Sequence, residues 1–201
     1  AELADQVITR FPSSTEHVQP FPDGKSLLLS TSDGSIWIVS DDGTRRSLGQ
    51  FGAASELQLS PDGSQVLVGT QDGRLQLVRS SDGSIIRSWI AHQGPVSQVS
   101  FSRSQPLAVS SSRDYTAAVW QLSDAKLVDR VVDTSHPLTS VALSKDAMLL
   151  ATGSSLGRFM MWERPMNVPV QRRSDAGTDP FPRRLLLSPD KATLLLLGPS
   201  T

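Results

Sequence analysis

At 201 residues the chain is long enough to bury a sizeable core in one or two domains, and 38% hydrophobic with 19% charged residues is a globular balance. A formal net charge of −1 gives no global attraction to nucleic acid or anionic membrane, and the lack of Cys removes disulfide frameworks and thiolate metal sites. Apolar runs such as 185–187 and 194–197 are far too short for a membrane-spanning helix.

The opening AELADQVITRF has no basic start and no long apolar stretch, so it does not read as a signal peptide. It also lacks an initiator Met, and the expectation is a piece cut from a longer chain. Within it, Gln6 to Arg10 read as the fourth strand of a unit whose first three strands are absent.

A turn marker follows at Pro22-Asp23-Gly24 and returns at Pro61-Asp62-Gly63. Related turns stand at Ser102-Arg103-Ser104, Ser144-Lys145-Asp146 and Ser188-Pro189-Asp190. Ser60, Ser102, Ser144 and Ser188 are taken as equivalent, spaced by 42, 42 and 44 residues. Before each turn apolar residues alternate, as in Leu57 and Leu59, Val99 and Phe101, Val141 and Leu143. After it comes an apolar run (27–29, 66–68, 107–109, 148–151), then a second turn at Asp33-Gly34, Asp72-Gly73, Arg113-Asp114 and Leu156-Gly157. Asp-Gly between apolar runs is a hairpin signal, because Gly accepts positive φ and Asp tolerates it. Third strands are expected at 36–39, 75–78, 116–120 and 159–162, and more polar fourth strands at 44–51, 84–90, 126–132 and about 168–173.

No segment has helical periodicity, and a period near 40 built of four strands is that of a propeller blade. The expectation is an all-β propeller, or a portion of one, with approximate blades at 15–51, 54–90, 95–133 and 137–173 and a partial blade at 182–201. A fragment of a larger propeller is favoured over a closed ring of five blades.

The third unit carries His92-Gln93-Gly94-Pro95-Val96, then Ser110-Ser111-Ser112-Arg113-Asp114, then Val119-Trp120. In this the chain resembles the WD-repeat β-propeller family over about residues 17–197. The resemblance implies a hydrogen-bonded chain of His92, Ser110, Asp114 and Trp120 inside that blade. The other units depart from the pattern. The fourth keeps His136 and Trp162 but has Leu156 at the Asp position; the first and second keep Asp33 and Asp72 but carry Val39 and Val78 at the Trp position. A periplasmic propeller type with repeated Ser-Pro-Asp-Gly turns is a rival that Ser60 to Gly63 also resembles.

His92, Asp114 and Ser110 or Ser112 could be read as a hydrolytic triad, but the blade already explains their spacing, and no Gly-x-Ser-x-Gly elbow occurs. His17, His92 and His136 fall at similar points of different units and would not converge on a metal. No phosphate-cradling Gly motif is present. No catalytic residue, metal or cofactor is therefore expected. Arg45-Arg46, Arg172-Arg173 and Arg183-Arg184 read as charges on outer strands that block edge-to-edge pairing, with a basic rim as the sharper reading. Trp37 and Trp89 lie off the Trp120 position and are expected in core between blades.

The residue before each turn Asp position, Ser32, Gln71, Arg113 or Ser155, should lie on one face of the ring. In WD-repeat proteins that face receives partner peptides. The reading is a protein-interaction scaffold that binds a protein or peptide on its loop face, without specific nucleic-acid binding, in a cytoplasmic setting. Its alternatives are a sensor or regulatory portion of a larger multidomain protein and, less favoured, a propeller-scaffold enzyme.

Overall fold

Successive side chains of a strand point to opposite faces, and in this chain both faces of the middle strands are apolar. Such a sheet needs a neighbour on each side. The computed structural model, which describes residues 10–133, 135–164, 169–170, 184–187 and 194–197, meets that need by placing sheet beside sheet. Strands β1 (Thr15–Pro20), β2 (Ser26–Thr31), β3 (Ser35–Ser40) and β4 (Arg45–Gln50) form the first antiparallel sheet in chain order. The second holds β5 (Ala54–Leu59), β6 (Gln65–Thr70), β7 (Arg74–Arg79) and β8 (Ile85–Ile90). The third holds β9 (Val96–Phe101), β10 (Leu107–Ser112), β11 (Thr116–Gln121) and β12 (Lys126–Val132). The fourth holds β13 (Leu138–Leu143), β14 (Leu149–Ser154), β15 (Phe159–Glu163) and the short β16 (Pro169–Val170), and a hairpin of β17 (Arg184–Leu187) and β18 (Leu194–Leu197) follows.

The first strands of successive sheets are neighbours: β1 packs beside β5, β5 beside β9, β9 beside β13, and β13 beside β17. This is the radial arrangement of a β-propeller, with the first strand of each blade innermost. Gln6 to Thr9, Arg172, Arg173, Arg183 and the turn at Ser188 lie outside the described residues. No helix occurs among the described residues.

Among the described residues the core consists of three layers, each between two blades. Leu28, Ile36 and Ile38 of the first blade meet Leu57, Val66 and Val68 of the second. Leu67, Leu75 and Leu77, which alternate with the valines, face Val99, Ala108, Ala118 and Trp120 of the third. Val109, Ala117 and Val119 then face Val141, Leu150 and Trp162 of the fourth. Trp120 is paired across strands with Ala108, and Ala118 lies two residues before it, so small side chains make room for the indole. Trp89 joins this second layer with its ring 5.9 Å from that of Trp120, while half-buried Trp37 packs on Phe11 at 5.5 Å.

Turn chemistry repeats with the blades. The backbone N–H groups of Ser60, Ser102 and Ser144 each donate to the carbonyl five residues on, at Gln65, Leu107 and Leu149, so the three serines hold equivalent places. The innermost strand also bulges at one repeated point, where Glu16, Ser55, Ser97 and Thr139 are each skipped in the pairing register.

Long side chains on the outer strands latch each blade to the next. Arg46 Nη2 donates to the Ser80 carbonyl (2.8 Å) and Arg87 Nη2 to the Ser123 carbonyl (2.6 Å). At the third interface the charges are exchanged, and Arg164 of blade four pairs with Asp129 of blade three. Arg46 is thus exposed on its outer strand, as expected, and also makes an inter-blade bond. Arg45 lies over the Phe11 ring, 5.7 Å from its centroid.

Gly73 shows how tightly the blades are joined. Its φ is +82°, and a Cβ there would stand 2.2 Å from the His92 carbonyl oxygen, in the loop leading to the next blade. Gly24 has a similar φ of +67° but open space around it. Gly24→Ala should therefore cost about 1 kcal/mol from positive φ alone, and Gly73→Ala at least about 3 kcal/mol from positive φ plus the clash. Urea midpoints of the two variants compare them; equal losses would contradict the inter-blade contact.

Candidate functional site

His92 follows β8 and enters the space between the second and third blades, where Ala91 N and His92 N both donate to the Gly73 carbonyl at 3.0 Å. Its ring then reaches into the third blade. Nε2 is 2.7 Å from Ser110 Oγ, and Ser110 Oγ accepts from Trp120 Nε1 at 2.8 Å. Nδ1 is 2.7 Å from Thr116 Oγ1 and 3.3 Å from Asp114 Oδ2. The Thr116 hydroxyl donates its single proton to Asp114 Oδ1 (2.6 Å), so it can only accept from the imidazole. The proton therefore sits on Nδ1, and Nε2 accepts from Ser110. This is a neutral imidazole.

Electrostatics agree with that tautomer. Burial drives the His92 pKa down to about 4, with Arg130 adding to the effect and Asp114 opposing it. Arg130 lies 6.0 Å from the Trp120 ring centroid and donates to the Ala91 carbonyl at 2.8 Å. The Asp114 carboxyl is partly desolvated, which would raise its pKa, but donors from Thr116 and the Gln93 N–H with the nearby His92 hold it below the usual range.

Ser110, His92 and Asp114 thus share the connectivity of a hydrolytic triad without its access. Ser110 is 0% exposed and His92 2%. The serine oxygen is already occupied by the indole N–H. A substrate carbonyl has no route to it, and the arrangement serves as a buried strut.

Thr116 is the member that sequence reasoning missed. Its signal was a hydroxyl two residues after a turn Asp, the same spacing at which Asp33 accepts from the Ser35 N–H at 3.1 Å. In the first two blades the neighbouring hydroxyl is Thr31 or Thr70, each bonded to its Asp33 or Asp72. The fourth blade keeps half of the strut: Trp162 Nε1 donates to Thr152 Oγ1 at 3.2 Å. Leu156 is exposed where Asp114 would be.

The expectation that His136 matches His92 is corrected. Arg113 N donates to Pro95 O and Ser155 N to Pro137 O, so His136 corresponds to Gly94, two residues past the His92 position. Its buried Nδ1 has no hydrogen-bond partner among the described residues. The loop before the second blade is shorter, 51–53 against 91–95, and holds no histidine at all. Among the described residues no three His, Asp or Glu side chains converge as a metal site.

The four turn residues Ser32, Gln71, Arg113 and Ser155 hold one repeated position. Each backbone N–H donates to the carbonyl just before its blade's first strand, at Ser14, Ala53, Pro95 and Pro137, over 2.9–3.0 Å. Ser32, Gln71 and Arg113 are exposed and Ser155 half-buried. Gln71 and Arg113 meet at a cleft of about 430 Å³, floored by Ser55, Ser97 and Thr139 from the bulges and walled by Pro95 and Val96. A second groove of about 520 Å³ lies at the opposite end between blades two and three, lined by Leu77, Ile86, Phe101 and Leu122.

Residues 83–121 match the WD domain, G-beta repeat family (WD40), and they contain His92, Ser110, Asp114 and Trp120. Residues 83–121 thus form a WD repeat, and the described residues share the fold of WD-repeat β-propellers. Solved structures with this WD-repeat fold include U3-55K, at a TM-score of 0.73 and 18% identity over 82% of this chain and 53% of that one. The WD40 repeats of RRP9 align at 0.71 and 18%, over 82% and 52%. Among curated proteins, eukaryotic translation initiation factor 3 subunit I of Debaryomyces hansenii is 29% identical over 107 residues, 53% of this chain and 30% of the relative. The ribosome biogenesis protein YTM1 of Candida glabrata is 40% identical over 67 residues, 33% of this chain and 14% of the relative. The chain thus spans a third or less of the length of these curated relatives.

Among the described residues only the third WD repeat completes the strut, which sets two expected outcomes. Asp114→Ala leaves the Gln93 N–H, the Thr116 N–H and the Thr116 hydroxyl without their acceptor and should cost about 1–3 kcal/mol. Asp72→Ala, at a side chain 71% exposed, should cost less; equal losses in thermal melts would contradict the assigned network. The second concerns pH. Because the folded pKa of His92 lies below the ordinary 6.5, the unfolded chain binds more protons between pH 6.5 and 4. This contribution is complete above pH 6.5 and is lost as pH falls toward 4, by about 3 kcal/mol in full. Urea midpoints across that range in wild type and His92→Asn should show the asparagine variant with the shallower slope; parallel slopes would refute a neutral buried His92.

Proposed function

We propose that this chain is a non-catalytic protein-interaction platform whose loop face binds a peptide or domain of a partner protein. The observation that carries the reading is the repeated backbone placement of Ser32, Gln71, Arg113 and Ser155 on one face, with a cleft between two of them. The blades fix these turns by hydrogen bonds behind them, so their side chains vary without cost to the fold. Binding to such a surface needs little rearrangement, which keeps the ordering penalty low.

The relatives support the same reading. One is a subunit of a translation initiation factor and another a ribosome biogenesis protein. Both names point to work inside larger assemblies. The opposing reading, a propeller-scaffold enzyme, needs a reactive group that a substrate can touch. The Ser110-His92-Asp114 arrangement is sealed within the blade and already bonded.

Panning a random peptide library against the intact chain tests the proposal. Peptides so selected should lose binding at least about tenfold in Gln71→Glu and Arg113→Glu, with melting temperature unchanged, since both side chains are exposed and bear no structural bond among the described residues. Arg103→Glu, in an exposed turn at the other end of the blade, should leave binding intact. Peptides that ignore the first two changes and respond to the third would overturn the assignment of the loop face.

A further inference from the structure

Arg113 stands apart from the interface cations of the propeller. The guanidinium groups of Arg46, Arg87, Arg130 and Arg164 are each spent on a carbonyl or carboxylate across a blade interface. Arg113 is exposed and makes no ion pair or side-chain hydrogen bond among the described residues. The carboxylate next to it is turned elsewhere: Asp114 gives Oδ1 to Thr116 and Oδ2 to the Gln93 N–H. Asp72, beside Gln71, accepts from the Thr70 hydroxyl and pairs with Arg74 at 3.9 Å. The residues that line the cleft therefore include one uncompensated positive charge and no negative one.

The rest of the lining is neutral. Gln71 offers an amide, and the bulge residues Ser55, Ser97 and Thr139 of three successive blades form a neutral polar floor. Ser55 donates to the Val96 carbonyl at 2.7 Å and Thr139 to the Gly153 carbonyl, whereas Ser97 Oγ has no partner among the described residues. Half-buried Pro95 supplies an apolar wall. About 430 Å³ has room for one or two side chains of an extended segment and none for a folded element.

We infer that this cleft receives a single carboxylate side chain, Asp or Glu, from the partner's bound segment. The inference rests on the platform reading above and names the chemistry of its central subsite. A planar guanidinium pairs with one carboxylate through two parallel N–H···O bonds and balances its charge. A phosphate monoester carries about −1.5 to −2 and would meet one cation with nothing to hold the excess. The methylene stem of the acidic residue lies against Pro95, and the Gln71 amide is the second donor.

The test uses the intact chain, isotope-labelled, titrated with four capped pentapeptides Ala-Gly-X-Gly-Ala in which X is Glu, Gln, Lys or phosphoserine. Backbone amide shifts of Gln71, Ser97 and Arg113 report occupancy. The Glu peptide should shift these amides and bind about tenfold or more tightly than the Gln peptide, as expected for a charge-assisted pair. Arg113→Gln should abolish that difference, and Arg103→Gln should preserve it. Equal binding of the Glu and Gln peptides at the loop face would overturn the carboxylate subsite and leave the platform reading standing. Tighter binding of the phosphoserine peptide, or no response of these amides to any of the four, would also overturn the subsite. Shifts confined to the opposite end would overturn both.

Discussion

Two-sided strands are the constraint from which this architecture follows. Val66 and Val68 look toward one neighbouring blade while Leu67 looks toward the other, and all three are 0% exposed. A sheet with apolar residues on both faces cannot end at water on either side without exposing them. Radial stacking solves this, and the core becomes a set of layers between blades rather than one central mass. Polar groups then fasten the blades across those layers, through the Arg46 and Arg87 latches, the Arg164–Asp129 pair, and the His92 backbone bond to Gly73.

The His92 strut is the densest of these fastenings. It joins the loop leaving one blade to two strands and a turn of the next, and its members satisfy one another's donors and acceptors only with a neutral imidazole. That accounts for both its burial and its depressed pKa. It also stiffens the turn from which Arg113 projects. Asp114, inside the strut, and Arg113, outside it, are consecutive residues, so the turn that organises the interior also presents a free cation on the surface.

Much of this was legible in the sequence because the repeat is written in turn residues, whose placement is local. The spacing of Ser60, Ser102 and Ser144 and the Asp-Gly pairs carries the period, and the structure places these serines equivalently. What escaped depends on register between segments distant in the chain. Thr116 joins the strut because a hairpin returns it to Asp114 beneath a histidine 24 residues away. The bond that the exposed outer-strand Arg46 makes was missed because the carbonyl it grips belongs to the next blade, 34 residues on. His136 was matched to His92 by resemblance of the segments, while the backbone bonds to Pro95 and Pro137 show it two places out of step. The cleft, formed where Gln71, Ser97 and Arg113 of adjacent blades meet, has no linear trace.

If neighbouring blades depend on each other for burial, their strands must open together. Native-state hydrogen exchange of the intact chain measures this directly, through the amides of β6, β7, β10 and β11. Mutual dependence predicts one shared opening free energy for the middle strands of the second and third blades, with a common sensitivity to denaturant. Two separate values, with one blade keeping its full protection while the other exchanges, would show that each sheet stands alone and would contradict the account.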